Sequence, residues 1–258
     1  MIPWILIGTI TGLVIGLTGT GGAVIAVPLF VYFMKLEMAE VTTLALYTVF
    51  TGAALNWFFH RKQSIPLLAL MMGVFSLLGS LPVAQIKPFL NPWLIRWIFI
   101  FICSAGLVSL WWKKRFSKKT DRAGNFTFNS KKLLMLVFGG IFLGIITTLT
   151  GLGGGVFLIP FFIFFLRLSV YQAMSNSFLV MMVTSLGSMF AQYPVLHRYF
   201  NLMHVSLLVT GCLLSALVLR WITGKLTENQ FELLQKSVFT FVVILSLISL
   251  VFISESHQ

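Results

Sequence analysis

Two glycine-rich stretches decide how this chain folds. They are Gly19-Thr20-Gly21-Gly22-Ala23, followed by Pro28, and Gly151-Leu152-Gly153-Gly154-Gly155, followed by Pro160. We call them box 1 and box 2. Each box interrupts an apolar segment at the same place. Because several glycines within five residues cost about 1 kcal/mol each in a helix interior, we expect the chain to be unwound at both boxes.

The two boxes belong to an internal repeat. A shift of 132 residues places six glycines of the first half on glycines of the second half, where about one such coincidence is expected by chance. The matched pairs are Gly8 and Gly140, Gly12 and Gly144, Gly19 and Gly151, Gly21 and Gly153, Gly22 and Gly154, and Gly79 and Gly211. The pattern predicts a first membrane repeat at 1–112, a basic cytoplasmic linker at 113–132 and a second membrane repeat at 133–258.

The composition predicts an integral membrane protein of all-α class. Residues of the AVILMFWYC group make up 58% of the 258 residues, and only 9% are charged, against about a quarter in soluble domains. Apolar segments recur at about the 20 residues that span a bilayer, without the alternation of a barrel strand. The expected segments are 3–17, 22–34, 39–59, 65–86, 93–112, 133–149, 154–166, 170–195, 201–223 and 231–253.

The basic residues predict the orientation of these segments. Eight of the 18 Lys and Arg residues lie between Lys113 and Lys132, which should therefore face the cytoplasm. If the two arms around each box form a hairpin, 14 basic residues lie inside and four outside; if they form one continuous span, the numbers become 11 and seven. The hairpin arrangement is favoured. It places both termini on the outer side of the membrane and makes the halves inverted. The four outer residues are Lys35, Lys87, Arg96 and Arg198.

Because the basic residues are explained by membrane topology, the net charge of +12 does not indicate a nucleic-acid partner. The start of the chain has no basic region, so the first segment is expected to remain in the membrane rather than act as a cleaved signal. Cys103 and Cys212 lie in apolar runs and indicate no disulfide framework.

Unwound backbone at membrane depth is tolerated when it is buried in protein or lines a wet cavity. Paired glycine-broken segments in inverted repeats indicate a transporter's midplane site. Half-helices that begin at Ala23 and Gly155 would direct unpaired N–H groups toward that site, and such groups attract anions. The alternative is that the glycines serve only close helix packing.

Both boxes resemble the Gly-x-Gly-Gly-Gly and following proline of the TauE/SafE sulfite-exporter family of bacterial membrane transporters. The resemblance covers nearly the whole chain, including the basic linker and the short polar stretches Thr42-Thr43-Leu44 and Ser175-Asn176-Ser177. It implies export of a small anion such as sulfite, a sulfonate or a related organosulfur or carboxylate anion. Box 1 departs from box 2 at Thr20 and Ala23, which makes box 1 less flexible.

The candidate substrate-binding residues come from the boxes and from the polar stretches that follow them. Asn176 is notable, because an amide in a membrane helix needs a partner, either a bound anion or a facing helix. The hydroxyl groups could equally serve helix–helix contacts. The candidates are Gly19, Thr20, Gly21, Gly22, Gly151, Gly153, Gly154, Gly155, Thr43, Ser175, Asn176 and Ser177. We expect no catalytic residue, metal or cofactor; the expected partners are the small anion and the lipid bilayer, and the oligomeric state is left open.

Three other functions compete with a carrier. An intramembrane enzyme is disfavoured because the His and Cys residues are dispersed. An anion channel or a non-transporting assembly factor stays open. The six acids lie in or near loops, so no carboxylate within a span is expected to couple transport to protons or sodium. This predicts uniport driven by the membrane potential. His204 is the one histidine expected within a span that could carry a proton instead. These acids are Glu37, Glu40, Asp121, Glu228, Glu232 and Glu255.

Overall fold

The computed structural model describes residues 2–19, 21–34, 38–112, 130–192, 202–223, 230, 233–234 and 237–245. Within these ranges there are helices and connecting turns but no strand, so the all-α prediction is confirmed. The helices are α1 (Ile2–Thr18), α2 (Ala23–Met34), α3 (Met38–His60), α4 (Pro66–Ile86), α5 (Pro92–Trp112), α6 (Ser130–Thr150), α7 (Gly155–Phe164), α8 (Val170–Ala191) and α9 (Leu202–Thr223). Residues 237–245 are also helical.

The helix boundaries agree with the predicted segments to within a few residues. The main difference is at α6, which begins at Ser130, so that 130–132 of the predicted linker are helical. Lysine side chains at 131 and 132 are compatible with a helix end, since their aliphatic stems can extend toward water. The remaining linker residues, 113–129, lie outside the described part of the chain, as does most of the last predicted segment.

Local sequence explains several of the helix ends. Pro66 and Pro92 stand in the first turns of α4 and α5, where a missing N–H removes no helical hydrogen bond. Ser169 caps α8, because its hydroxyl accepts from the amide of Gln172 at 3.3 Å, and the Gln172 side chain accepts from the amide of Ser169. This reciprocal pair is a capping box.

Four helices of the described ranges are long and apolar enough to cross a bilayer, namely Glu40–Gln63, Pro66–Phe89, Ser130–Thr150 and Tyr171–Ala191. The helices that follow the boxes are shorter. α2 has 12 residues and α7 has 10, which corresponds to about 18 and 15 Å. Each therefore reaches only about half of a 30 Å hydrocarbon core.

Large apolar side chains cover the outside of the helix assembly. On α4, exposed residues recur every three or four positions, which defines one helix face. A surface of this kind in water would be an aggregation site, whereas lipid covers it without cost. The exposed face of α4 carries Leu67, Leu70, Val74, Leu78 and Leu81. The protein is therefore a multi-pass membrane protein.

Helices α3 and α8 lie at the centre of the assembly. Within their spanning segments 67% of the residues are buried, against 44% for α4 and 50% for α6. The two largest interfaces join α1 to α9 and α4 to α6, and α8 packs against both α3 and α4. The central position of α3 and α8 means that they carry the polar residues that lipid does not reach.

Glycines set the separation in both outer interfaces. A Cβ on Gly140 of α6 would lie 2.7 Å from the Met72 carbonyl oxygen of α4. A Cβ on Gly8 of α1, its partner at the 132-residue offset, would collide with the Leu208 carbonyl oxygen of α9. Small residues allow this close approach of helix backbones.

Replacement of Gly144 by Ala tests this packing. Its Cβ would collide with the Ser76 carbonyl oxygen, so we expect destabilisation of about 1–3 kcal/mol and a lower thermal unfolding midpoint in detergent. The matched control is Gly187→Ala, whose Cβ meets only the tip of the Leu77 side chain, which can move aside. Equal midpoints for the two variants would contradict the account.

Candidate functional site

Box 1 joins α1 to α2 through an unwound turn. The Gly19 amide donates to the Ile15 carbonyl oxygen at 2.8 Å and ends α1. Gly19 and Gly21 have φ values of +63° and +88°, in the left-handed region that glycine adopts most readily. α2 then begins with two amides that donate to the Gly22 carbonyl oxygen at 3.0 and 2.9 Å. Thr20 lies outside the described residues.

Box 2 joins α6 to α7 in the same way. The Gly151 amide donates to the Thr147 carbonyl oxygen at 2.8 Å, and two amides donate to the Gly154 carbonyl oxygen, both at 3.0 Å. These donors and acceptors stand 132 residues after those of box 1. Gly151, Gly153 and Gly154 have φ values of +71°, +66° and +72°. Box 2 thus has one more left-handed glycine than the described part of box 1.

The two boxes touch each other. A Cβ on Gly21 would collide with the Leu152 backbone oxygen and would lie 3.5 Å from the Met181 sulfur. A Cβ on Gly153 would collide with the Val49 side chain. Val49 is the central residue of α3, and Met181 lies near the centre of α8. The boxes therefore meet at half the length of the two central helices.

The outer glycine of each box packs against the central helix of the opposite half, at or next to its polar stretch. A Cβ on Gly19 would lie 3.1 Å from Met174 Cγ, and a Cβ on Gly151 would collide with the Thr42 carbonyl oxygen. These contacts support a packing role for the glycines, which was the alternative to a binding role. Substituting them would disturb the fold whether or not a ligand binds, so other residues must test the site.

Thr147 is a hydroxyl group without a hydrogen-bond partner next to box 2. Its side chain is fully buried, its Oγ1 has no partner, and this atom lies 3.1 Å from where a Cβ on Gly154 would stand. The nearby first amides of α7, on Gly155 and Val156, have no acceptor within the helix. Box 1 has Ile15 at the position equivalent to Thr147. The buried hydroxyl without a partner is thus a feature of box 2 that has no counterpart at Ile15.

The polar residues at the start of α8 bind protein groups. The Ser175 hydroxyl donates to the His60 carbonyl oxygen at 2.8 Å. Asn176 Oδ1 accepts from the Ile65 amide at 2.8 Å, and Asn176 Nδ2 donates to the Gln172 carbonyl oxygen at 2.7 Å. Of the two partners foreseen for Asn176, the structure thus supplies a facing segment of protein, the connection between α3 and α4.

The other two predicted polar residues lie elsewhere. The Ser177 hydroxyl donates to the carbonyl oxygen of Ala173 in its own helix at 2.7 Å. Thr43 lies at the opposite end of α3 from the Asn176 contacts, and its hydroxyl donates to Gln192 Oε1 at 3.1 Å. The structure therefore brings the glycines of the two boxes together but distributes the polar residues between the two ends of α3 and α8.

Lys87 and Gln192 were not among the predicted site residues. Lys87 was assigned only to the outer surface, but just 5% of it is exposed, and its Nζ donates to Gln192 Oε1 at 2.7 Å. One pattern could have identified it, since Lys87 is the only charged residue between Lys62 and Arg96.

In the described part of the chain, no three His, Cys, Asp or Glu side chains are placed to hold a metal ion.

Asn176→Ala should lower the thermal unfolding midpoint of the protein. The variant leaves the partly buried Ile65 amide without its acceptor, which should cost about 1 kcal/mol, the low end of the penalty for a buried donor. The control is Ser177→Ala, because that hydroxyl bonds only within its own helix; this variant should unfold within about 0.5 kcal/mol of wild type. If Asn176→Ala is as stable as Ser177→Ala, the hydrogen bond between Asn176 and Ile65 does not stabilise the fold.

Comparison with known proteins agrees with this architecture. The model of the family described as sulfite exporter TauE/SafE matches residues 4–250. A protein of Haemophilus influenzae described as a probable membrane transporter protein is 27% identical over 202 residues, covering 72% of this chain and 71% of the relative. No solved structure matches the chain. The chain belongs to the sulfite exporter TauE/SafE family, and it is a multi-pass membrane transporter.

Proposed function

We propose that this transporter exports a small oxyanion, such as sulfite, a sulfonate or a related carboxylate, through a site between the two glycine boxes. The observation that carries the proposal is the buried Thr147 hydroxyl, which has no partner and adjoins Gly154 and the first turn of α7. A helix N-terminus and a hydroxyl donor together suit an anion with several acceptor oxygens.

Burial strengthens the attraction between such a site and an anion. Gly153, Gly154 and Gly155 are buried beside the centre of α3, where water screens charges poorly. The glycines add a further property, because without side chains their backbone amides can approach a ligand closely. Together these features support box 2 as the centre of the substrate site, with Thr147 as an added hydroxyl donor. We propose that the box 1 residues Gly19, Thr20, Gly21 and Gly22 form the facing wall of this site, since Gly21 packs on Leu152.

We further propose that the two halves form inverted repeats that alternate access to this site. The hydrogen bonds of the boxes and the close contacts of Gly8 and Gly140 recur at the 132-residue offset, with the halves exchanged. Inverted repeats of this kind rock around a fixed midplane site. In this arrangement both termini lie outside the inner membrane, and the linker at 113–132 lies in the cytoplasm.

Charge composition supports uniport as the transport mode. Glu40, in the first turn of α3, is the one carboxylate among the described residues. A buried acid for proton or sodium coupling is therefore missing from the described spans. An anion that leaves a cell with a negative interior gains about 2.3 kcal/mol per charge for each 100 mV, which is sufficient to drive export without a co-ion.

Thr147→Val tests the site at box 2. Loss of the hydroxyl should raise the half-saturating sulfite concentration for efflux from proteoliposomes about five- to tenfold, which corresponds to about 1–1.4 kcal/mol. The control is Thr48→Val, since the buried Thr48 hydroxyl donates to Ala45 in its own helix. Equal effects of the two variants would place the substrate elsewhere.

Efflux should follow the membrane potential and not the pH gradient. Collapsing the potential across proteoliposomes should slow sulfite export, whereas collapsing the pH gradient at constant potential should not. His204, whose ring stacks on Trp4 at 4.3 Å, provides the control. A dependence on the pH gradient that disappears in His204→Gln would replace uniport by proton-coupled transport.

The channel and the assembly factor make different predictions in the same vesicles. A carrier shows saturation and counterflow, in which unlabelled anion on one side accelerates movement of labelled anion from the other. A channel conducts without counterflow, and an assembly factor shows neither activity.

A further inference from the structure

Three polar side chains form a buried cluster where α3 begins and where α4 and α8 end. Lys87 Nζ donates to Gln192 Oε1 at 2.7 Å, and the Thr43 hydroxyl donates to the same oxygen at 3.1 Å. The exposed fractions of Thr43, Lys87 and Gln192 are 2%, 5% and 3%. We call these residues the Lys87 cluster.

The cluster contains a buried cation that lacks a counter-ion in the described structure. An ammonium group has three N–H donors, and Gln192 Oε1 is the one acceptor that the described side chains give it. Glu40 is the sole carboxylate in the described ranges, and no ion pair joins it to Lys87. Burying a charge without a partner costs several kcal/mol, so an anion at this place would stabilise the protein.

Gln192 adds a second donor without an acceptor. Because Lys87 can only donate, the carbonyl oxygen of the Gln192 amide must face it, which fixes the amide's orientation. The other end of the amide, Nε2, is buried and has no hydrogen-bond partner. The cluster thus offers an ammonium group and an amide N–H to a ligand that must supply negative charge and at least two acceptor atoms.

From this combination we infer that the Lys87 cluster is a second anion-binding site, which takes a small oxyanion such as sulfite, a sulfonate or a carboxylate. The inference rests on the proposed export function, in which this site receives the substrate after the boxes. The two sites are connected through α3, because the Thr42 carbonyl oxygen packs on Gly151 and the next residue, Thr43, belongs to the cluster.

The cluster is separate from the polar contacts at the other end of α8. Asn176 and Gln192 are 16 residues apart in one helical stretch, which corresponds to about 24 Å. An anion bound at Lys87 would therefore lie near one end of the central helices, while the boxes lie at their middle. This placement suits a binding step at one mouth of the transport path.

Binding of radiolabelled sulfite to the purified full-length protein in detergent, measured by equilibrium dialysis at constant ionic strength, tests the site. Lys87→Gln should bind one sulfite fewer per chain than wild type, whereas Lys87→Arg should keep it. Gln192→Glu should also lose this sulfite, because the new carboxylate takes the anion's place beside the ammonium group. The thermal unfolding midpoint of Gln192→Glu should stay at or above the wild-type value.

Unchanged sulfite binding by Lys87→Gln or by Gln192→Glu would overturn the site. A Glu37→Gln variant tests the competing ion pair, since Glu37 lies six residues before Thr43 in the chain. Glu37→Gln should bind as much sulfite as wild type. If Glu37→Gln and Lys87→Gln instead lose the same amount of stability, Lys87 belongs to an ion pair with Glu37 and not to an anion site.

Failure of the export proposal gives a different result. If the wild-type chain binds sulfite in a Lys87-dependent manner but does not move it across proteoliposomes, the site stands and export fails. If Lys87→Gln binds sulfite as wild type does and sulfite is transported, export stands and this site fails.

Discussion

Direct contact between the backbones of the two boxes is the constraint on which the rest of the structure depends. Gly21 packs on the Leu152 carbonyl oxygen so closely that no side chain fits between them. The positive φ values of both boxes also favour glycine. Because the boxes end α1 and α6 and begin α2 and α7, this contact fixes four helices and brings two broken segments to the centre of α3 and α8.

This constraint has consequences for chemistry, because a lipid-facing exterior forces polar groups inward. The hydroxyl and amide groups of α3 and α8 are buried and are mostly used by protein partners, as with Ser175 and Asn176. Several buried donors among the described residues depart from this pattern, including the Thr147 hydroxyl and the Gln192 amide, and the Lys87 ammonium group has a single side-chain acceptor. A ligand with several acceptor oxygens would satisfy them, which is why the proposals for function concentrate on an oxyanion.

The fold was largely predictable, and the details of the site were not. Spans follow from apolar run length, and the breaks at Gly19–Gly22 and Gly151–Gly155 follow from glycine's cost in a helix. The partner of Asn176 was not predictable, because its acceptor role depends on the Ile65 amide, 111 residues away in the chain. The count of basic residues assigned Lys87 to the outer side of the membrane. Such a count cannot show that the side chain is buried, or that it binds Gln192 more than 100 residues later in the chain.

The proposed transport path requires that a small oxyanion binds beside box 2. The most direct measurement is a crystal structure of the protein with selenite, a heavier analogue of sulfite, in which anomalous scattering locates selenium. We expect an anomalous peak beside box 2, with the selenite oxygens within hydrogen-bonding reach of Thr147 Oγ1 and the first amides of α7. A fully occupied selenite elsewhere, with none beside Thr147 in a protein that transports sulfite, would contradict it.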